Sequence, residues 1–199
     1  MTARTRGPYN PGVSGERAVL TYRDYEALPA DGRRYELHEG ELSVTPAPGT
    51  RHQRVIGTMH ILLHTHVEAH RLGEVFLSPV DCILSDTTVV QPDLVYLDPT
   101  RAPLVSERGI EGPPTLVVEI LSPSTIAIDR SIKLQLYRRF EVPYYWILDP
   151  EARTVEAYGL AEGRYTLLAR VSGAGPVSLP PFPDLAFAPA LLWPEPVRS

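Results

Sequence analysis

Residues 115–121 read Thr115-Leu116-Val117-Val118-Glu119-Ile120-Leu121. The run is almost wholly aliphatic and β-branched, the composition of a central strand covered on both faces. Strand alternation sends Val117, Glu119 and Leu121 to one face and Leu116, Val118 and Ile120 to the other. A carboxylate inside such a strand is costly to bury unless it is paired, protonated or bound to a metal. The plain reading of Glu119 is a strand-end acid paired with an arginine. The functional reading is a metal ligand.

The rest of the fold is read outward from this strand. Ser122-Pro123-Ser124-Thr125 breaks it and can cap a helix directly after it. Residues 126–140 predict that helix, with Ile128, Ile132, Leu136 and Phe140 at i, i+4 spacing. Pro143 then precedes a second buried strand, Tyr144 to Asp149, with Tyr145 and Trp146 in the core. Residues 153–160 and 163–171 predict a closing hairpin, and 175–199 a strand or short helix docked on the surface.

Upstream, 74–77, 80–84 and 93–97 are strand candidates, and the proline- and arginine-rich stretch 98–113 is a loop. Val55, Ile56, Met59, Leu62, Leu63 and Val67 share one arc at ~100° per residue, which predicts a helix over 51–71 ended by Gly73. Residues 33–46 predict a hairpin about Glu39-Gly40. Thr21 and Asp24 resemble a helix cap, and residues 1–19 a flexible polar tail. Residues 20–199 are expected to form one α/β domain, a mixed sheet flanked by helices.

Composition excludes several classes. At 43% hydrophobic and 22% charged, the chain is neither disordered nor fibrous. No apolar run reaches the ~18 residues of a membrane span, and the first residues lack a signal-like apolar core. One cysteine, Cys82, leaves no intrachain disulfide and no thiolate zinc site, which fits a reducing cytoplasm. A net charge of -5 counts against a salt-driven nucleic-acid coat protein, but not against a local phosphate site built around a metal. Neither GxxxxGK, GxGxxG nor GxSxG occurs.

Three groups carry the candidate chemistry. Asp93 follows Pro92 and opens a strand whose alternation groups it with Val95 and Leu97. Alone it reads as a turn-capping aspartate. If its strand and that of Glu119 end together, both carboxylates can meet on one divalent cation, and Mg²⁺ accepts one or two carboxylates plus water and phosphate oxygens. Lys133 is the only lysine among 19 basic residues. It falls at the edge of its helix's sheet-facing side, and an ammonium is a compact charge that a guanidinium does not replace. Asp129, Arg130, Lys133, Arg138 and Arg139 leave that helix net positive, a local docking surface for phosphate.

Five of the six histidines lie within 52–70, with His60/His64 and His66/His70 at i, i+4. No nearby carboxylate completes a metal set, and packing histidines are the plainer reading. His52 differs, because it opens the helix.

Taken together, Gln91-Pro92-Asp93, Val118 through Thr125, Asp129, Lys133-Leu134 and Tyr144-Tyr145-Trp146 resemble the Uma-two family of restriction-endonuclease-like proteins. Tyr35-Glu36-Leu37, Gly40-Glu41 and His52-Gln53 match its N-terminal pattern, and the likeness runs from about residue 20 to about 160. The resemblance implies the PD-(D/E)XK nuclease fold: a central mixed sheet flanked by helices, with an N-terminal and a C-terminal hairpin. It implies that Asp93 and Glu119 hold Mg²⁺ or Mn²⁺, that Glu36 adds a ligand or a water contact, and that His52 and Gln91 are accessory. The superfamily's lysine position is Leu121 here, and the lysine has moved to the next helix as Lys133. In that role Lys133 orients or deprotonates a water, or stabilises charge on the phosphorane.

The function implied is a metal-dependent nuclease acting on nucleic acid, DNA above all. No membrane partner is expected. A homodimer is expected from the superfamily and from the prevalence of two-fold assemblies. The acidic pI of about 5.7 favours a rival: a binding or scaffold protein that keeps the fold without catalysis. A hydrolase of another phosphodiester is a third reading.

Overall fold

The computed structural model describes residues 18–123 and 125–193. The tail expected over residues 1–19 lies outside them except for Ala18 and Val19, as do Ser124 and residues 194–199. The elements are α1 (Tyr22–Glu26), β1 (Arg34–His38), β2 (Glu41–Thr45), α2 (Thr50–His70), β3 (Glu74–Leu77), β4 (Cys82–Ser85), β5 (Thr88–Val90) and β6 (Leu94–Leu97). Next come β7 (Val105–Ser106), β8 (Gly109–Ile110), β9 (Leu116–Ile120), α3 (Leu134–Arg139) and β10 (Tyr144–Asp149). The chain closes with β11 (Thr154–Ala161), β12 (Arg164–Val171), β13 (Val177–Leu179) and β14 (Phe182–Phe187).

The central sheet runs β12-β11-β10-β9-β6-β3, with β9 and β10 parallel and its other neighbours antiparallel. A second mixed sheet, β2-β1-β5-β4-β8-β7, takes in the N-terminal hairpin. The closing hairpin β11–β12 extends the central sheet. The expected mixed sheet and both hairpins are therefore present, and the second sheet is an addition. It was not legible because β5 is only three residues long and β7 and β8 two each.

β9 is buried along its whole length, as its composition requires. On one face Leu116, Val118 and Ile120 pack with Val55, Ile56, Met59, Leu63 and Val67 of α2, and with Trp146 and Leu148. Each such side chain, fully buried, contributes about 1.5–3 kcal/mol. On the other face Val117 and Leu121 meet Leu136, Tyr137 and Tyr145, together with Cys82, Val90 and Ile110 from the second sheet. Alternation puts Glu119 in this second layer, between the central sheet, the short helix and the second sheet. Among the described residues no helix is long and apolar enough to cross a membrane.

Two local expectations need correction. Residues 128–133 do not continue an α-helix; they form a π turn, Ile128–Lys133, ahead of α3. The buried residues are Asp129 and Lys133 in this turn and Leu136 and Tyr137 in α3, while Ile132 is 45% exposed. A π turn widens the helix by one residue per turn and so moves the buried face off the Ile128–Ile132 line. The end of α2 also differs. Arg71, with φ 53°, makes the left-handed cap in place of Gly73. Gly73 has φ 127° and lies against the Leu97 carbonyl, where a Cβ would overlap the oxygen. Gly73→Ala is accordingly expected to destabilise the fold by more than about 1 kcal/mol, read as a lowered midpoint in urea unfolding; an unchanged midpoint would contradict this packing.

Candidate active site

Antiparallel pairing of β6 with β9 sets Leu94 opposite Val118, so one step further along the register Asp93 faces Glu119. One strand begins where the other ends, and both carboxylates fall on the face covered by the π turn. β1 of the second sheet adds Arg34 and Glu36, two residues apart and hence on one strand face. His52 reaches in from the first turn of α2. The five groups Glu36, Asp93, Glu119, Asp129 and Lys133 are each 3% exposed or less.

Lys133 binds the layers together. Its Nζ lies 2.9 Å from Glu119 Oε1, 2.9 Å from Glu36 Oε1 and 3.8 Å from Asp129 Oδ1. The Tyr137 hydroxyl donates to the same Glu119 Oε1 at 2.7 Å, and the Gln91 backbone N–H donates to Glu36 Oε1 at 2.7 Å. Burial opposes the Lys133 charge, but Glu119 and Glu36 outweigh it and hold the ammonium above its ordinary pKa. Burial likewise opposes ionisation of Glu36, yet Lys133, His38 and Arg34 keep that carboxyl below its usual range.

Asp93 is tied on both oxygens. Oδ2 accepts from the Ile120 N–H at 2.8 Å and lies 3.1 Å from His52 Nε2; Oδ1 accepts from Arg34 Nη1 at 3.1 Å. His52 Nε2 is also 2.9 Å from the Ile120 carbonyl oxygen. Two acceptors flank that nitrogen, which places a proton on it. Burial raises the Asp93 pKa, and His52 and Arg34 bring it below the ordinary value. Burial dominates at Glu119, with Asp129 and Asp93 adding to it against the pull of Lys133, and pushes its carboxyl up to about 8.

These residues enclose a hollow of ≈ 10 Å³, room for about one water. Glu36, Asp93, Glu119 and Asp129 face only two permanent cations there, Arg34 and Lys133. Arg34 Nε and Nη2 are buried without a hydrogen-bond partner. Buried donors left unmatched cost about 1–3 kcal/mol each.

The expected residues Asp93, Glu119, Lys133, Glu36 and His52 therefore converge. Gln91 does so only through its backbone; its side chain turns away to the Tyr25 hydroxyl and to Asp81. The basic helix surface is reduced from expectation: Asp129 and Lys133 point inward, Arg130 pairs with Glu156 at 2.8 Å, and Arg139 pairs with Glu39. Arg34, Asp129 and Tyr137 were missed as site residues. The signals were Arg34 two residues before Glu36, and Asp129 and Tyr137 four residues either side of Lys133. The rings of His60 and His64 stack at 5.3 Å, and His66 packs edge-on against Phe182. Neither pair reaches the hollow.

The donors fit a hard divalent cation: oxygen ligands, no thiol, and an excess of negative charge. Among the described residues no three of His, Cys, Asp and Glu are set together as metal ligands. A cation here would take Asp93 and Glu119 and complete its shell with water and substrate oxygen, as Mg²⁺ does.

The mixed sheets with helices on their faces are a restriction-endonuclease-like fold. The family model described as "Putative restriction endonuclease", Uma2, matches residues 22–190, and the chain belongs to that family. A solved structure described as "a putative nuclease belonging to DUF820 from Anabaena variabilis ATCC 29413" superposes with a TM-score of 0.72 at 21% identity, over 87% of this chain and 97% of that one. At that identity the likeness shows the fold. No curated protein matches.

The pKa of Glu119 bears on stability. Its folded value near 8 exceeds its ordinary 4.5, so between these pH values the folded state holds more protons than the unfolded one. Stability contributed by this group is full below about pH 4.5 and falls as pH rises toward 8. In EDTA, the Tm of the wild type is expected to drop across this window more steeply than that of Glu119→Gln. Parallel curves would contradict the assignment.

Proposed function

We propose that this chain is a metal-dependent nuclease that hydrolyses phosphodiester bonds in nucleic acid, DNA first. The observation that carries the reading is the hollow itself: opposed carboxylates, a buried ammonium and a guanidinium with two unmatched donors. Asp93 and Glu119 would hold Mg²⁺ or Mn²⁺, which when bound supplies a Lewis acid for the phosphate and lowers the pKa of a water.

The chain's own groups do the rest. Arg34 Nε and Nη2 would donate to the non-bridging oxygens of a phosphate, an acceptor set that matches a guanidinium fork, once the hollow widens beyond its room for one water. Lys133, kept charged by Glu36 and Glu119, donates a hydrogen bond to the negative charge that develops on the phosphorane oxygens. Glu36 acts as the counterion that holds Lys133 in place. His52 shares its Nε2 proton between Asp93 and the Ile120 carbonyl and so fixes the Asp93 rotamer.

Among the described residues no third protein ligand stands with Asp93 and Glu119, which keeps the rival reading of a silent scaffold in view, and one experiment separates the two. Single-stranded and duplex DNA and RNA are incubated with the protein in Mg²⁺, Mn²⁺ or EDTA. Cleavage is expected with metal only. Asp93→Ala and Glu119→Gln are expected to fall to background, and Arg34→Ala and Lys133→Arg to lose about 10²-fold or more. Wild-type activity in Asp93→Ala would end the proposal. Absence of both cleavage and Mg²⁺ uptake in the folded wild type would favour the scaffold.

A further inference from the structure

A second cavity adjoins the hollow, and His52 lines both. Its walls come from the start of α2 (Gly49, Arg51), the segment after β9 (Leu121, Pro123, Ile126) and the end of β10 with the turn after it (Asp149, Pro150, Glu151). It thus opens beyond the carboxyl ends of two parallel strands, the place where ligands enter open α/β sheets. Its volume is ≈ 240 Å³. That is just below the roughly 300–1,000 Å³ of sites for drug-sized ligands, so it suits one planar ring system and not a whole nucleotide.

The chemistry of the walls is one-sided. Leu121, Pro123, Ile126 and Pro150 are apolar, and Ile126 stands at the rim, 43% exposed. The polar groups at this cavity are largely engaged: Arg51 pairs with Glu151 and donates to the Pro150 carbonyl, and Asp149 accepts from the Glu151 and Ala152 N–H groups. Among the described lining residues His52 Nδ1 is the buried polar atom without a partner, and there is no cluster of free donors to bind phosphate. Of the parts of a nucleic acid, only the base has large apolar faces, and this cavity shares its His52 wall with the hollow that Arg34 lines.

We propose that this cavity receives one unstacked nucleobase flanking the scissile phosphate. The inference rests on the nuclease reading for its biological sense. It makes the substrate class single-stranded, frayed or base-extruded nucleic acid, because a base must leave its stack to enter. Duplex would pay the unpairing energy and be cleaved more slowly.

The test uses the full chain in two arms. In the first, methyl resonances are followed while each deoxynucleoside 5′-monophosphate is added without metal. The Leu121 and Ile126 methyls are expected to shift and saturate. Ile126→Trp, which fills the cavity from its exposed rim, should weaken binding about tenfold or more, and Ile126→Val should retain it. Shifts confined to other regions, or undiminished binding in Ile126→Trp, would overturn the proposal. In the second arm, a single strand and its blunt duplex are cleaved in Mg²⁺. Faster cleavage of the single strand, lost in Ile126→Trp and kept in Ile126→Val, supports it; equal rates for both substrates and all three proteins overturn it. If nucleotides bind and nothing is cleaved, the nuclease reading fails while the base pocket stands. If cleavage proceeds and nucleotides do not bind, the reverse holds.

Discussion

The ammonium of Lys133, held at 2.9 Å from both Glu36 and Glu119, joins three parts of the molecule that have no chain neighbourhood. Glu36 comes from the second sheet, Glu119 from the central sheet and Lys133 from the π turn. Desolvating these charges is expensive, and removing one partner of such a buried pair typically costs about 3–5 kcal/mol. The arrangement is therefore a poor way to gain stability and a good way to fix geometry. The π turn belongs to the same logic. It carries Asp129 and Lys133 inward together, and the Tyr145 hydroxyl, donating to the Asp129 carbonyl at 3.0 Å, holds its backbone from below. Helical turns of this kind recur at functional sites.

The remaining imbalance gives the site its chemical direction. Four carboxylates against two permanent cations would repel in a medium of low dielectric. The protein relieves this in part by pushing Glu119 toward its protonated form. A divalent cation would relieve it in full. In the same hollow Arg34 Nε and Nη2 make no hydrogen bond, and Nη2 lies 4.0 Å from Glu36 Oε1. The proposed metal and phosphate sites rest on this excess of carboxylates and on the spare Arg34 donors.

Much of this was legible because it obeys short-range rules. A glutamate in an otherwise aliphatic strand, an aspartate after a proline and a solitary lysine each stand out against local pattern. Strand alternation assigned Glu119 and Val117 to one layer correctly, and the Glu39-Gly40 turn, with φ 54° and 85°, is the positive-φ pair a tight hairpin requires. What was not legible depends on distant partners. Nothing local announces that β1 will pair with β5 and bring Arg34 to Asp93. A π turn is one extra residue in a hydrogen-bond ladder, and Ile128, Ile132 and Phe140 still look like a helical stripe. Gln91 was assigned through the resemblance at Gln91-Pro92-Asp93, but the chain has left β5 at Val90, and there its side chain turns to Tyr25 and Asp81.

The central claim is that Asp93 and Glu119 share one divalent ion beside Lys133. Crystals soaked in Mn²⁺ and measured at a wavelength where manganese scatters anomalously test it most directly. A single peak between the two carboxylates, within the hollow lined by Arg34 and Lys133, is the predicted result. A soaked crystal with no peak there, or with manganese bound only elsewhere, would contradict it.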